Sequence, residues 1–166
     1  VDDKATYNDS FSKIIGIDVS DTTPPAITAL TATPAIARSG DTVTLEVDVA
    51  DNVGLAGDPA MSVNGQDLGA PDSVAGSVYT FSYTVPAGVP DGYAPVAVQA
   101  ADTVNNSNNV TFDDVLMLDN TPPAFSGLAA APPFVTPGGT VLVEVAVTDP
   151  NGLADAPVMT ADGVNL

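Results

Sequence analysis

The chain has 166 residues, 45% of them apolar, which is enough to bury a core in one or two domains. It contains no cysteine, no tryptophan and no histidine, which excludes a disulfide framework, a thiolate metal site and a histidine base or ligand. Its 21 acidic and 3 basic residues give a formal charge of −18, which repels nucleic acid and anionic lipid and attracts cations.

Residues 1–20 are expected to be the C-terminal strands of a preceding repeat. The segment 3–11 (DKATYNDSF) resembles 102–110 (DTVNNSNNV), and an apolar run, 14–19, follows it. The same order, an Asn-rich loop and then an apolar strand, also closes the next repeat. The sequence therefore predicts the end of a first unit here.

A junction motif, Asp-x-Thr-Pro-Pro, occurs twice, at 21–25 and at 119–123. The two copies are about 98 residues apart, and about 22 of the 48 positions from each motif onward are identical, which indicates tandem repeats. Two consecutive prolines fix the backbone, remove two donors and hold the preceding threonine extended. The motif therefore predicts a stiff junction between adjacent repeats of the same chain.

The segment 21–118, called here the central unit, is predicted to be one complete all-β repeat. Strict alternation over residues 42–49 marks one strand, whose apolar members are Val43, Leu45, Val47 and Val49. Five further runs bounded by turn residues are expected to be strands, 27–32, 60–63, 79–85, 94–100 and 110–118, and the loose segment 69–76 is expected to carry a short edge strand. Seven such strands predict an antiparallel β-sandwich. Its core is expected to hold Val43, Leu45, Val47, Val49, Phe81, Val96 and Val98.

The segment 119–166, called here the third unit, is expected to be the N-terminal strands of a following, truncated repeat. It reproduces the alternating strand at 141–147 and stops at Leu166, the equivalent of Leu68. Three strands alone leave an apolar face and an open edge. We therefore expect both partial units to become ordered by packing on each other, on neighbouring chains or on the rest of a longer precursor.

Four features together resemble the bacterial immunoglobulin-like repeats of large surface proteins and adhesins. They are the Asp-x-Thr-Pro-Pro start, an alternating strand that ends in Asp-Asn-x-Gly-Leu, Asp-Gly-Tyr at 91–93, and Ala-Ala-Asp-x-x-Asn-Asn at 100–106. The resemblance implies an immunoglobulin-like antiparallel β-sandwich in tandem repeats, at the cell surface or outside the cell. It also implies a structural role as a stalk or spacer.

We predict no enzymatic activity and no membrane insertion. Hydrolysis by a serine or threonine nucleophile needs a base beside the hydroxyl, and the candidate lysines occur only at 4 and 13. Two carboxylate pairs occur, at 2–3 and at 113–114, but neighbouring residues of a strand point to opposite faces. No run is long and apolar enough for a membrane span.

Two other functions stay open at this point. The chain could be a subunit of a cell-envelope lattice or fibre, completed by strand exchange between copies. It could also be an accessory or carbohydrate-binding module of a secreted enzyme, which would need a row of exposed aromatic side chains. Without tryptophan and with four tyrosines, the sequence favours that last function least.

Aspartates recur at loop positions and predict calcium sites at the junctions. Asp21 at the entrance, Asp51 after the alternating strand and Asp102 after the sixth strand should lie at one end of a sandwich. Their oxygens suit calcium, which takes six to eight oxygen ligands. Amide oxygens are expected from Asn52 and Asn105, and a second site from Asp91, Asp119 and Asp149. The alternative is that these aspartates only cap their own turns.

Overall fold

The computed structural model describes residues 20–153 and 155–165, so the strands expected at 1–19 lie outside the described residues. The described part is all-β, and it holds no helix of the length and apolarity that a membrane span needs. The strands of the central unit are β1 (Ala26–Thr33), β2 (Ile36–Ala37), β3 (Thr42–Ala50), β4 (Ala60–Val63), β5 (Gln66–Asp67), β6 (Ser73–Ala75), β7 (Val78–Thr84), β8 (Gly92–Tyr93), β9 (Val96–Ala101), β10 (Ser107–Phe112) and β11 (Met117–Leu118).

Two four-stranded antiparallel sheets form the central unit as a sandwich. Their strand orders are β1-β3-β7-β6 and β10-β9-β4-β5. The alternating strand β3 lies between β1 and β7, and Leu45 is directly opposite Phe81 in the register with β7. Period-two alternation places the side chains of Val43, Leu45, Val47 and Val49 on the face towards the second sheet.

The predicted core is confirmed. Side chains of both sheets form one cluster, and every residue expected inside is at most 1% exposed: Val43, Leu45, Val47, Val49, Phe81, Val96 and Val98. Tyr83 and Met61 fill the same cluster as large, fully buried side chains. At about 25 cal/mol per Å² of buried apolar surface, this cluster is the main stabilising element of the unit.

The prediction of a single last strand over 110–118 is wrong, because the chain leaves the second sheet at Phe112. Asp113 and Asp114 are exposed in a bend, since two adjacent carboxylates favour water over a sheet. The chain then forms β11, which is parallel to β2 and antiparallel to β8. The unit is thus antiparallel except for the β2–β11 pair, which places the exit of the chain beside Ala37.

The third unit contains β12 (Ala124–Ala131), β13 (Leu142–Thr148), β14 (Thr160–Ala161) and β15 (Val164–Asn165). β12 pairs with β13 in the register that β1 and β3 use, so Ala124 faces Thr148 as Ala26 faces Ala50. The turn between β14 and β15 also has the conformation of the turn between β4 and β5 in the central unit. Asp162 and Gly163 have φ of +53° and +79°, against +50° and +78° at Asn64 and Gly65. Asp-Gly and Asn-Gly are the pairs that tolerate this left-handed hairpin turn.

The apolar face of the third unit is open to solvent. Ile27 and Leu30 of β1 are 9% and 8% exposed, but Phe125 and Leu128 at the equivalent positions of β12 are 70% and 74% exposed. None of the described residues of this unit reaches the burial of the central core. In the central unit, the second sheet covers β1 and β3. Within the described residues, the third unit has no counterpart of that sheet, so the same positions of β12 are exposed.

We expect limited proteolysis of the 166-residue chain to remove the terminal segments and leave the central unit. Few apolar contacts hold the third unit together, so local opening there costs little free energy. The fragments can be identified by mass spectrometry during digestion with a broad-specificity protease. A monodisperse monomer that resists cleavage over 124–166 as well as the central unit does would contradict this expectation.

Candidate metal centre

Three acidic side chains from three separate segments converge where the chain enters the central unit. Asp21 precedes β1, Asp51 follows β3 and Asp102 follows β9. One carboxylate oxygen from each lies within 4.8 Å of the others. The loops after β3 and β9 are also joined by a bridge between Leu55 and Asp102. The convergence predicted for these three residues is therefore present in the structure.

Asp102 is the buried member of the cluster, with no exposed surface. Its Oδ1 accepts the main-chain N–H groups of Val104 at 2.9 Å and Asn106 at 2.8 Å. Its Oδ2 accepts the side-chain amide of Asn106 at 2.7 Å. A buried carboxylate needs such donors or a positive charge, so the loop 102–106 wraps around it.

Asp51 uses one of its two oxygens to form its own turn. Oδ1 accepts the N–H groups of Val53 at 2.9 Å and Gly54 at 3.0 Å. Gly54 takes φ of +106°, which a residue with a side chain rarely adopts. The other oxygen, Oδ2, is buried and has no hydrogen-bond partner.

Asp21, like Asp51, has one carboxylate oxygen that accepts hydrogen bonds and one that has no partner. Oδ1 accepts the N–H of Thr23 at 3.1 Å and the amide of Asn52 at 3.2 Å, while Oδ2 is buried without a partner. The pKa of Asp21 is lowered, chiefly because the Thr23 N–H bonds the ionised carboxylate. Burial opposes this effect and raises the pKa. The main-chain oxygen of Asp21 also accepts the amide of Asn106 at 3.1 Å, so the junction motif 21–25 is attached to the loop 102–106.

The arrangement fits a hard cation. Two unpartnered carboxylate oxygens belong to a group of three carboxylates, and no positively charged side chain of the described residues lies near them. Arg38, the one basic residue in the described part of the chain, lies before β3. Asp51 lies after this nine-residue strand, roughly 30 Å away at about 3.3 Å per residue. That distance is several times the Debye length of about 8 Å at physiological salt. Calcium suits a site of this kind because it accepts carboxylates from irregular loops together with water.

The asparagine side chains that contact the cluster are not the two that the sequence predicted. Asn52 contacts Asp21, as expected of a neighbour of the cluster. Asn105 is exposed with φ of +70° and gives its main-chain N–H to the carbonyl oxygen of Asp102; a ligand role for its side chain stays a prediction. Asn106 is the amide that contacts both Asp21 and Asp102. Asn105 and Asn106 are adjacent in the sequence, and only the conformation of the loop shows which side chain contacts the aspartates.

The residues expected at the second junction do not form a comparable group within the described residues. Asp119 accepts the N–H of Thr121 at 3.2 Å, and Asp149 accepts the N–H of Asn151 at 2.8 Å, so each caps its own turn. The position that would match Asp102 lies beyond Leu166. Asp91 instead accepts hydrogen bonds from residues 119–121, called here the exit linker, and the second site stays a prediction.

Protonation of Asp91 at acidic pH should weaken its hydrogen bonds to Asn120 and Thr121. The Thr121 hydroxyl, and next the Asn120 N–H, lower the pKa of Asp91 because they bond its ionised form. These bonds stabilise the fold above the pKa of the unfolded chain, and their contribution disappears as the pH falls through the lower folded-state pKa. In an NMR titration, the Asp91 carboxyl carbon and the Asn120 amide should therefore share a midpoint below about pH 4. A higher midpoint would contradict this, and in D91N the Asn120 amide should lose the transition.

Comparison with models of known protein families gives no match, and no curated protein matches the sequence significantly. The functional proposal therefore rests on the fold and on the carboxylate cluster.

Proposed function

We propose that this chain is a non-enzymatic structural segment of an extracellular or cell-surface bacterial repeat protein. In this proposal it is an adhesin-like stalk or spacer of immunoglobulin-like repeats, and calcium stiffens its junctions. The observation that carries the proposal is the convergence of the Asp21, Asp51 and Asp102 carboxylates at the entrance of the central unit. In a chain of repeats, that entrance is where one unit follows another.

Calcium would act here as a connection between the linker and the body of the repeat. Asp21 belongs to the junction motif, whereas Asp51 and Asp102 belong to loops after β3 and β9. Without a cation, the three negative charges repel one another. The two unpartnered oxygens have then lost contact with water without gaining a hydrogen bond in its place. A bound ion would attract all three and fix the direction in which the linker enters the unit.

The role as a spacer agrees with the chemistry of the rest of the molecule. A charge of −18 keeps copies of the chain apart and soluble, and the stiff Pro-Pro motif limits bending between units. The partners expected from this role are the adjacent repeats of the same chain. The calcium dependence of thermal unfolding, in the wild type and in variants of the cluster, tests the proposal.

A second function, a lattice or fibre subunit, is favoured by the open face of the third unit. Its groove is lined by apolar side chains of β12 and β13, among them Phe125, Leu128, Val143 and Val145. Strands from a neighbouring copy would cover this face and pair with the free edge of β13. The two functions differ in dilute solution, because a lattice subunit should form a dimer or larger assembly by light scattering.

A carbohydrate-binding module has less support. Tyr79 and Tyr83 lie in the core, at 9% and 1% exposure, and Tyr93 is the exposed tyrosine of the described residues. Within the part of the chain that the structure describes, a single exposed tyrosine does not provide the flat row of tyrosines on which sugar rings stack. Binding of oligosaccharides would therefore have to use another surface.

A further inference from the structure

The side chain of Asn120 is bound between two loops at the exit of the central unit. Its Oδ1 accepts the N–H of Ser39 at 2.7 Å and lies 2.8 Å from the Ser39 hydroxyl. Its Nδ2 donates to the carbonyl oxygen of Val89 at 3.1 Å. Ser39 precedes β3 and Val89 precedes β8, so one amide connects two segments that are distant in sequence.

The main chain of the exit linker is attached at the same place. The N–H of Asp119 donates to the carbonyl oxygen of Ala37 at 2.9 Å, which extends the pairing of β11 with β2 by one residue. The N–H of Asn120 then donates to Asp91 Oδ1 at 2.7 Å, and the Thr121 hydroxyl donates to Asp91 Oδ2. Three consecutive linker residues thus contact the body of the central unit before Pro122.

We propose that Asn120 is an anchoring residue, which fixes the exit linker to the central unit without a metal ion. The bonds that Asn120 and Asp91 form are exposed, and a single exposed hydrogen bond contributes little against competition from water. Here several bonds share one ordering cost, because the Asn120 amide and the Asp91 carboxylate each hold more than one group.

The residue at this position then decides how firmly a junction is held. The first copy of the motif has Thr22 where the second has Asn120. A threonine side chain offers a single hydroxyl oxygen on a shorter stem in place of the separate Oδ1 and Nδ2 atoms, so we expect it to lose at least one of the bonds to the Ser39 N–H and the Val89 carbonyl. An Asp-Asn-Thr-Pro-Pro junction is therefore anchored by the preceding unit, while an Asp-Thr-Thr-Pro-Pro junction depends more on the metal centre that follows it.

Amide hydrogen exchange in the presence of a chelator tests this inference on the intact chain. In N120T, which gives the second junction the sequence of the first, the protection factor of the amide at position 120 should fall about tenfold. S39A removes the hydroxyl and keeps the N–H donor, so it should cause a smaller loss. The Leu45 amide in β3 should keep its protection in both variants.

Three results would overturn the inference. They are unchanged protection at position 120 in N120T, an equal loss at Leu45, and protection at Asn120 that appears only with calcium. Because the chelator removes any contribution of the metal centre, this experiment can fail while the calcium proposal stands, and the reverse also holds.

Discussion

Replacing Phe81 by alanine should lower the free energy of unfolding of the central unit by about 3–5 kcal/mol, the usual cost of removing a large core aromatic ring. Phe81 is 1% exposed, lies opposite Leu45 in the register of β7 with β3, and belongs to the cluster that both sheets share. The truncation leaves a cavity that the neighbouring β-strands cannot close, because the ladder of hydrogen bonds fixes their spacing. Urea unfolding, followed by tyrosine fluorescence or circular dichroism, measures the change.

Ser82→Ala is the matched control for this experiment. Ser82 is the next residue of β7 and is exposed on the opposite face of the strand. Its substitution should change the free energy of unfolding by no more than about 0.5 kcal/mol. If F81A unfolds within about 1 kcal/mol of the wild type, the sandwich core described above is not the main source of stability.

Calcium should raise the unfolding temperature of the central unit, and the variant D51N/D102N should abolish that rise. At roughly ten times the dissociation constant, which is about 0.1–1 mM for extracellular modules, one site adds about 1.4 kcal/mol. For a unit of this size, that free energy corresponds to a shift of about 6–11 °C. The measurement is thermal unfolding in millimolar calcium and again after chelation.

The two substitutions are chosen to remove charge and keep the turns. Asparagine retains an Oδ1 that can accept the N–H groups of Val53 and Gly54, or those around position 102. The baseline stability will still fall, because an amide at position 102 would place its NH₂ against that of Asn106. The calcium-dependent shift, rather than the baseline, is therefore the readout.

Two controls separate a specific site from screening of the overall charge. D113N/D114N removes two exposed carboxylates outside the cluster and should retain the full shift. Sodium chloride at matched ionic strength should not reproduce it. An unchanged midpoint in calcium, or an equal shift in wild type and D51N/D102N, would show that the three aspartates only cap their turns.

Local periodicity in the sequence determined the main strands and the core of the central unit. The alternation in β3 and β7 fixed which face of each strand is apolar, because one residue of slip would expose the whole set. The prediction that 69–76 carries an edge strand also agrees with β6, which pairs only with β7. The recurrence of Asp21 and Asp51 at loop positions pointed to one end of a sandwich, where the three carboxylates converge.

Tertiary contacts decided the features that have no local signal. The two-residue strands β2, β8 and β11 are too short for any periodicity, and they exist because they pair with one another in a third sheet. The choice of Asn106 over Asn105 depends on the path of a five-residue loop around Asp102. Asp91 contacts the exit linker because β11 pairs with β2 and β8, an arrangement of segments about 80 and 25 residues apart in sequence. Such long-range pairings reflect the packing of the whole sandwich, which no short stretch of the sequence specifies.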